Sequence, residues 1–230
     1  SNSKDFSRAF YSLVAVRFLG SFSVQLQAVI LGWQMYQLTR DPLYLGLIGL
    51  TEAVPAISLA LFAGYIVDRT NPKKIILAVI CLSLVSVLLA WIASTPTQLF
   101  LAAFLTGIGR SFHSPAYQSL LPRLVPKHAL NRAIPLGTSA MKLAYVSGPA
   151  VGGILLGIYG TGVPYALGSA FLTLAIVGTL LTSYDHTRYL ARRTEGMRFW
   201  TELLAGLRFV FGHRLLLAVL SLDMFAVLFG

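Results

Sequence analysis

Long uncharged runs alternate with short knots of charge along this chain, and that alternation excludes nearly every soluble fold. The stretch Gly64 to Lys74 shows it best: Asp68, Arg69, Lys73 and Lys74 crowd together, with a long apolar run on either side. Several such runs reach the roughly 20 residues that cross a hydrocarbon core as a helix. Hydrophobic residues make up 56% of the chain and charged residues 11%, the latter about half the usual share. Lipid offers no partner to backbone N–H and C=O groups, so each run must close its own hydrogen bonds as a helix. A transmembrane barrel would show strict alternation over segments of about ten residues, and none is present. The net charge of +10 would suit nucleic acid, but the bases sit in loops between apolar runs, so no nucleic-acid partner is expected.

The runs predict six membrane helices, an all-α membrane protein. Helix 1 spans about Ala9 to Leu38, with Arg17, Ser21 and Gln25 on one face. Thr39 to Pro42 reads as a turn in which Pro42 ends one helix and Asp41 caps the next. Helix 2 spans Leu43 to Val67 with Glu52 and Pro55 inside it. Helix 3, Lys74 to Ala93, holds Cys81, read as a packing residue. Helix 4, Gln98 to Tyr117, places Thr106, Arg110, His113 and Tyr117 on one face, and Leu121 to Arg132 reads as a loop. Helix 5, Ala133 to Ile158, carries Lys142 and the segment Gly148-Pro149-Ala150-Val151-Gly152-Gly153. Helix 6 spans Val163 to Ser183. Residues 1–183 are thus a six-helix domain. Residues 184–214 read as a basic linker with Phe199, Leu203, Leu207 and Val210 on one helical face, an amphipathic surface helix. Residues 215–230 begin a seventh run, with Asp223 inside. The chain opens without Met and stops inside an apolar run, which reads as a piece of a longer protein.

Lys and Arg sort by side. The N-terminal lead and the loops after helices 2, 4 and 6 hold fourteen, and the opposite turns hold Arg40 alone. The positive-inside rule puts the N-terminus and the basic loops in the cytoplasm.

In the Gly64 loop, Gly64 would let helix 2 approach a neighbour closely. Asp68 would cap a helix N-terminus, and Arg69, Lys73 and Lys74 would pair with it and with lipid phosphates. These residues resemble the signature Gly-x-x-x-Asp-Arg-x-Gly-Arg-Lys of the major facilitator superfamily. The resemblance implies an N-terminal half of a twelve-helix transporter, built from two inverted three-helix repeats, whose Asp68 loop latches the halves. A second six-helix half is the implied partner. Asn71 replaces a glycine, acceptable through the left-handed conformation. Pro72 replaces a basic residue, leaving the latch one contact short. Gly148 and Gly152 form a Gly-x-x-x-Gly face with Pro149 as a kink. With Gly153 they resemble the fifth-helix motif of exporting members; ordinary close packing of helix 5 is the other reading. His113 to Pro126, and Gly32-Trp33-Gln34 to Thr39, are similar to a bacterial subgroup that includes macrolide-efflux and enterobactin-export proteins. That implies a multi-pass protein of the bacterial inner membrane.

Charge inside a bilayer is costly, so embedded ionisable groups are the candidate functional residues. These are Arg17, Glu52, Arg110, His113, Lys142 and Asp223, with Gln25 beside them. Arg17 and Arg110 are placed toward the cytoplasmic side and Glu52 toward the outer side. Together they suggest a positive cavity for an anionic or polar small molecule, with Glu52, Asp223 or His113 exchanging a coupling proton; structural pairing of Arg17 and Arg110 is the alternative. The expected function is proton-coupled efflux by alternating access. Uptake, lysophospholipid flipping, or a non-transporting scaffold or embedded enzyme are the alternatives. No His-x-x-x-His, paired carboxylates or Gly-x-Ser-x-Gly occurs, so no catalytic set, metal or cofactor is expected, and no phosphate-binding loop suggests ATP drive.

Overall fold

The computed structural model describes residues 6–182. They form α1 (Arg8–Thr39), α2 (Leu43–Arg69), α3 (Pro72–Ile92), α4 (Pro96–Leu124), α5 (Leu130–Tyr159) and α6 (Gly162–Leu181), with one 3-10 turn, Lys127–Ala129, before α5. No strand occurs among the described residues. The linker expected at 184–214 and the helix start expected at 215–230, Asp223 included, lie outside them.

Local chemistry sets the helix ends. Ser7 caps α1 by accepting from the Phe10 N–H. The helix ends at Arg40, which takes a left-handed conformation with φ 56°, and Asp41 accepts from the Leu43 N–H at 2.9 Å. Thr95 and Gln98 form a capping box at the start of α4. Asn71 caps α3, its side chain accepting from the Lys73 N–H at 3.0 Å, and Pro72 follows in the first turn. This corrects two expectations. Asp68 lies within α2 and is not the cap, and Asn71 has φ −69°, so it serves as a capping acceptor and not as a left-handed glycine substitute.

α4 also differs from expectation. It continues to Leu124 through Pro115 and Pro122, consuming much of the loop expected from Leu121. Proline interrupts a membrane helix less than a soluble one, because neighbouring helices satisfy the freed groups, and Leu120 and Leu121 remain buried. Among the described residues, five helices are long and apolar enough to cross a membrane: α1, α2, α3, α5 and α6. α4 has the length but is diluted by Thr106, Arg110, Ser111 and His113, and its buried Thr106 and Ser111 point into the bundle.

Packing follows a two-fold pattern. α1 packs on α5 and α6, and α4 packs on α2 and α3; α3 and α6 touch each other, as do α1 and α4. Exchanging the first three helices for the last three reproduces these partnerships, which is what inverted three-helix repeats require. Polar contacts fix the helix ends in space. At one end Gln34 of α1 donates to the Ala93 carbonyl that closes α3 and accepts from the Tyr165 hydroxyl of α6. At the other, Ser12 of α1 donates to the Gly178 carbonyl and accepts from Thr182. Between them, Ser86 of α3 accepts from Gln27 and donates to the Ala102 carbonyl of α4, with Thr106 at 2.8 Å. Such interhelical bonds contribute roughly 0.6 kcal/mol each in lipid. Cys81, expected to pack, is exposed.

Two glycine crossings bring backbones together. A Cβ on Gly148 of α5 would stand 2.9 Å from Gln25 Cβ and 3.0 Å from the Phe22 carbonyl oxygen of α1. A Cβ on Gly107 of α4 would collide with the Glu52 carbonyl and the Pro55 ring of α2. Gly64, expected to serve such an approach, has nothing within 4 Å among the described residues. We therefore expect Gly107→Ala to cost about 1–3 kcal/mol through forced separation of α2 from α4. Gly64→Ala should be neutral or stabilising by up to about 1 kcal/mol through helix propensity. Thermal melting of the detergent-solubilised protein measures both, and a larger loss from Gly64→Ala would refute this assignment of the close crossings.

Candidate functional site

The crossings place three polar side chains from three helices within reach of one another. Gly107 lets α2 lie against α4, so Arg110, one turn on, brings Nε to 2.9 Å from Glu52 Oε1. Gly148 holds α5 against α1 at Gln25, and Arg110 Nη2 donates to Gln25 Oε1 at 2.7 Å. The Nε–H is not aligned on the Glu52 oxygen, which is left without a hydrogen bond, so charge holds the pair. The Arg110 side chain is 43% exposed and that of Glu52 17%. A pair this open is worth little, on the order of 1 kcal/mol or less, and is therefore easy to part.

The shared level of these groups corrects the expected depths. Because α4 runs to Leu124, Arg110 lies about 21 Å from the C-terminal end of α4 by helix rise. Glu52 lies about 24 Å from Asp68 by the same measure. The two therefore face each other, instead of lying toward opposite sides.

Next to Arg110 a cavity of ≈ 180 Å³ opens between α1, α3, α4 and α5. Ser21 and Gln25 line it from α1, Thr106, Arg110, His113 and Ser114 from α4, Val79 and Ser83 from α3, and Met141 and Tyr145 from α5. Gly20 and Gly109 make the room: a Cβ at Gly20 would reach His113 Nε2 at 3.8 Å, and one at Gly109 would reach Ser83 Oγ at 3.5 Å. Arg17 sits behind this wall, 5% exposed, with its guanidinium 3.8 Å from the Tyr117 ring centroid and Nη2 donating to Met141 Sδ at 3.1 Å.

The structure thus brings Gln25, Glu52, Arg110 and His113 together, with Arg17 adjacent. It leaves Lys142 apart: that side chain is exposed, next to Met141 in sequence but not in the cavity wall, and forms no hydrogen bond or ion pair among the described residues. Ser83, Met141 and Tyr145 had not been foreseen. Met141 and Tyr145 lie seven and three residues before Gly148, on one helical face, a pattern legible in the sequence. Ser83 carries no such mark.

Arg69 of the basic loop stacks over the Tyr65 ring at 4.2 Å. Asp68 and Lys74 are exposed. Lys73 does something unforeseen: its Nζ donates to the Leu180 and Thr182 carbonyls at 3.1 and 2.7 Å, closing the C-terminus of α6. A cation suits that end of a helix, where carbonyls are unpaired. Gly152 packs on the Leu26 backbone of α1, while Gly153 has nothing within 4 Å among the described residues.

Over residues 6–230 the chain matches the major facilitator family described as transmembrane secretion effector. The chain belongs to the major facilitator superfamily. Its relatives include the staphyloferrin A transporter of Staphylococcus aureus (strain NCTC 8325 / PS 47), 26% identical over 66% of this chain and 39% of that protein. Macrolide efflux protein A of Streptococcus pyogenes is 24% identical over 76% of this chain and 42% of its own. The multi-drug resistance efflux pump PmrA homolog of Lactococcus lactis subsp. lactis (strain IL1403) is 25% identical over 65% and 36%. The matches cover about two fifths of the length of these curated relatives. The all-α major facilitator fold and its multi-pass membrane setting are thereby established for this chain.

In this major facilitator chain the Lys73 contact makes a local prediction. Lys73→Met removes both bonds to the end of α6, so amide exchange at residues 179–182 should accelerate about tenfold, as expected for losing on the order of 1.5 kcal/mol of charge-assisted hydrogen bonding. Hydrogen–deuterium exchange reads this directly, and unchanged protection would show that Lys73 does not hold that end.

Proposed function

We propose that this chain is the N-terminal half of a secondary transporter that exports a small amphiphilic or anionic compound by alternating access, driven by proton antiport. The observation that carries the reading is the loosely held Arg110–Glu52 pair, with Gln25 on the same guanidinium, at the wall of a polar-lined cavity. A proton taken by the Glu52 carboxylate would cancel its hold on Arg110. The freed guanidinium would then accept an acidic or polar group of the substrate, with Gln25 keeping it oriented. Loss of that proton would restore the carboxylate, which would recapture Arg110 and expel the substrate. Proton and substrate thereby compete for one cation, as antiport requires. Nothing in this cycle makes or breaks a covalent bond of the substrate, so the role is carriage and not catalysis.

The efflux names of the bacterial relatives support export, and the staphyloferrin A transporter matched in Staphylococcus aureus supports a small-molecule cargo. A second six-helix half would cover α2 and α5, where Leu50, Val54 and Ile57, and Leu143, Val146 and Ile154, are exposed. Lys142 lies on that open side of α5 and would face the central passage from there. The charge sorting of the loops supports a cytoplasmic N-terminus and cytoplasmic basic loops, in the inner membrane of a bacterium.

The test is efflux from vesicles carrying the full-length protein under an imposed pH gradient. Glu52→Gln should lower gradient-driven efflux at least tenfold while sparing substrate exchange, and Lys142→Ala should raise KM severalfold. Gradient-driven efflux that survives Glu52→Gln unchanged would remove the coupling role.

A further inference from the structure

Arg17 is a buried cation that the coupling scheme leaves unused. No carboxylate pairs with it among the described residues. A guanidinium offers five N–H donors, yet among the described residues Arg17 meets only the Met141 thioether and the Tyr117 side chain. Its Nε is buried without an acceptor among the described residues. A thioether is a weak acceptor, and a buried charge held this thinly normally calls for an anion.

The route to it runs through the cavity. Met141 contacts Arg17 on one side and lines the cavity on the other. Gly20 and Ser21, one turn on from Arg17, and His113, one turn before Tyr117, line it as well. Methionine is unbranched and adaptable, so its side chain can swing aside where a branched one would not. Arg110 and Tyr117 are seven residues apart on α4, about 10 Å along the helix axis, so Arg17, over the Tyr117 ring, lies roughly two turns from the level of Arg110. The hydroxyls of Ser21, Ser83 and Thr106 stand along the walls.

We infer that the cavity takes an elongated dianion, one acidic group on Arg110 in place of Glu52 and the other on Arg17 once the Met141 thioether has moved away. This rests on the reading of the cavity as a substrate site and narrows the substrate to compounds with two well-separated acidic groups. Met141 then acts as a cover over the second cation: a compound with one acidic group binds at Arg110 and leaves Arg17 closed, and a long diacid gains the second contact.

The test is equilibrium binding to the full-length protein purified in detergent, by titration calorimetry with octanoate and octanedioate as probes. Octanedioate should bind at least tenfold more tightly than octanoate, which has no second carboxylate to place on Arg17. In Arg17→Gln that preference for octanedioate over octanoate should vanish. In Met141→Ala, which uncovers Arg17 without touching a charge, the preference should widen severalfold. Equal affinities for octanoate and octanedioate in the unsubstituted protein, a preference that persists in Arg17→Gln, or a preference that Met141→Ala leaves unchanged would overturn the inference. If Arg17→Gln does not fold, the Met141→Ala comparison decides alone. No proton gradient enters the measurement, so a failure of coupled export and a failure of diacid binding are read separately.

Discussion

Two close helix crossings carry the rest of this structure. Gly148 lets α5 touch α1 beside Gln25, and Gly107 lets α4 touch α2 beside Glu52. Arg110 reaches both Gln25 and Glu52 only because these backbones are near enough. In lipid there is no hydrophobic force between helices, so packing and interhelical hydrogen bonds must hold them. The glycines serve both: they permit backbone contact, and they bring polar side chains from separate helices to one level.

The rest of the interior follows the same rule. Polar side chains within the bundle bond across helices: Gln27 to Ser86, Ser86 to the Ala102 carbonyl, Ser23 to the Gly168 carbonyl. The ends are tied in the same way, through Gln34 on one side and through Ser12, Lys73 and Thr182 on the other. Against that background the groups with weak or missing partners stand out. Arg110 and Glu52 are joined by charge without a directed bond, and Arg17 rests on a ring and a sulfur. A rigid bundle with a few loosely held charges at its cavity is what a carrier needs, since its binding groups must exchange partners while the helices around them stay together.

Much of the fold was legible from residue order. Apolar length marked the helices, and Asp41 marked the start of α2. Reading failed where a local rule met a tertiary compensation. Helix 4 read as ending at Tyr117, with a loop from Leu121, yet burial of Leu120 and Leu121 carries it to Leu124. Gly64 suggested a close contact, and Gly107 made one. Asp68 looked like a helix cap, and Asn71 took that place because it directly precedes the first turn of α3. The helical spacing of Arg110 and His113 did mark a shared face. Their partners could not be read, because Glu52 and Gln25 belong to other helices at unknown relative depth.

By itself, then, the sequence determined that the chain makes membrane helices, which loops stay on one side, and which side chains are too costly to leave in lipid. These depend on local hydropathy and on charge, which each segment carries wherever it goes. The tertiary structure alone decided which of those costly groups meet: Arg110 with Glu52 and Gln25, Arg17 with Tyr117 and Met141, Lys73 with the end of α6, and Lys142 with none of them among the described residues. The physical reason is that helix depth and rotation are set by how neighbouring surfaces fit, and that fit turns on where a missing Cβ allows two backbones to touch.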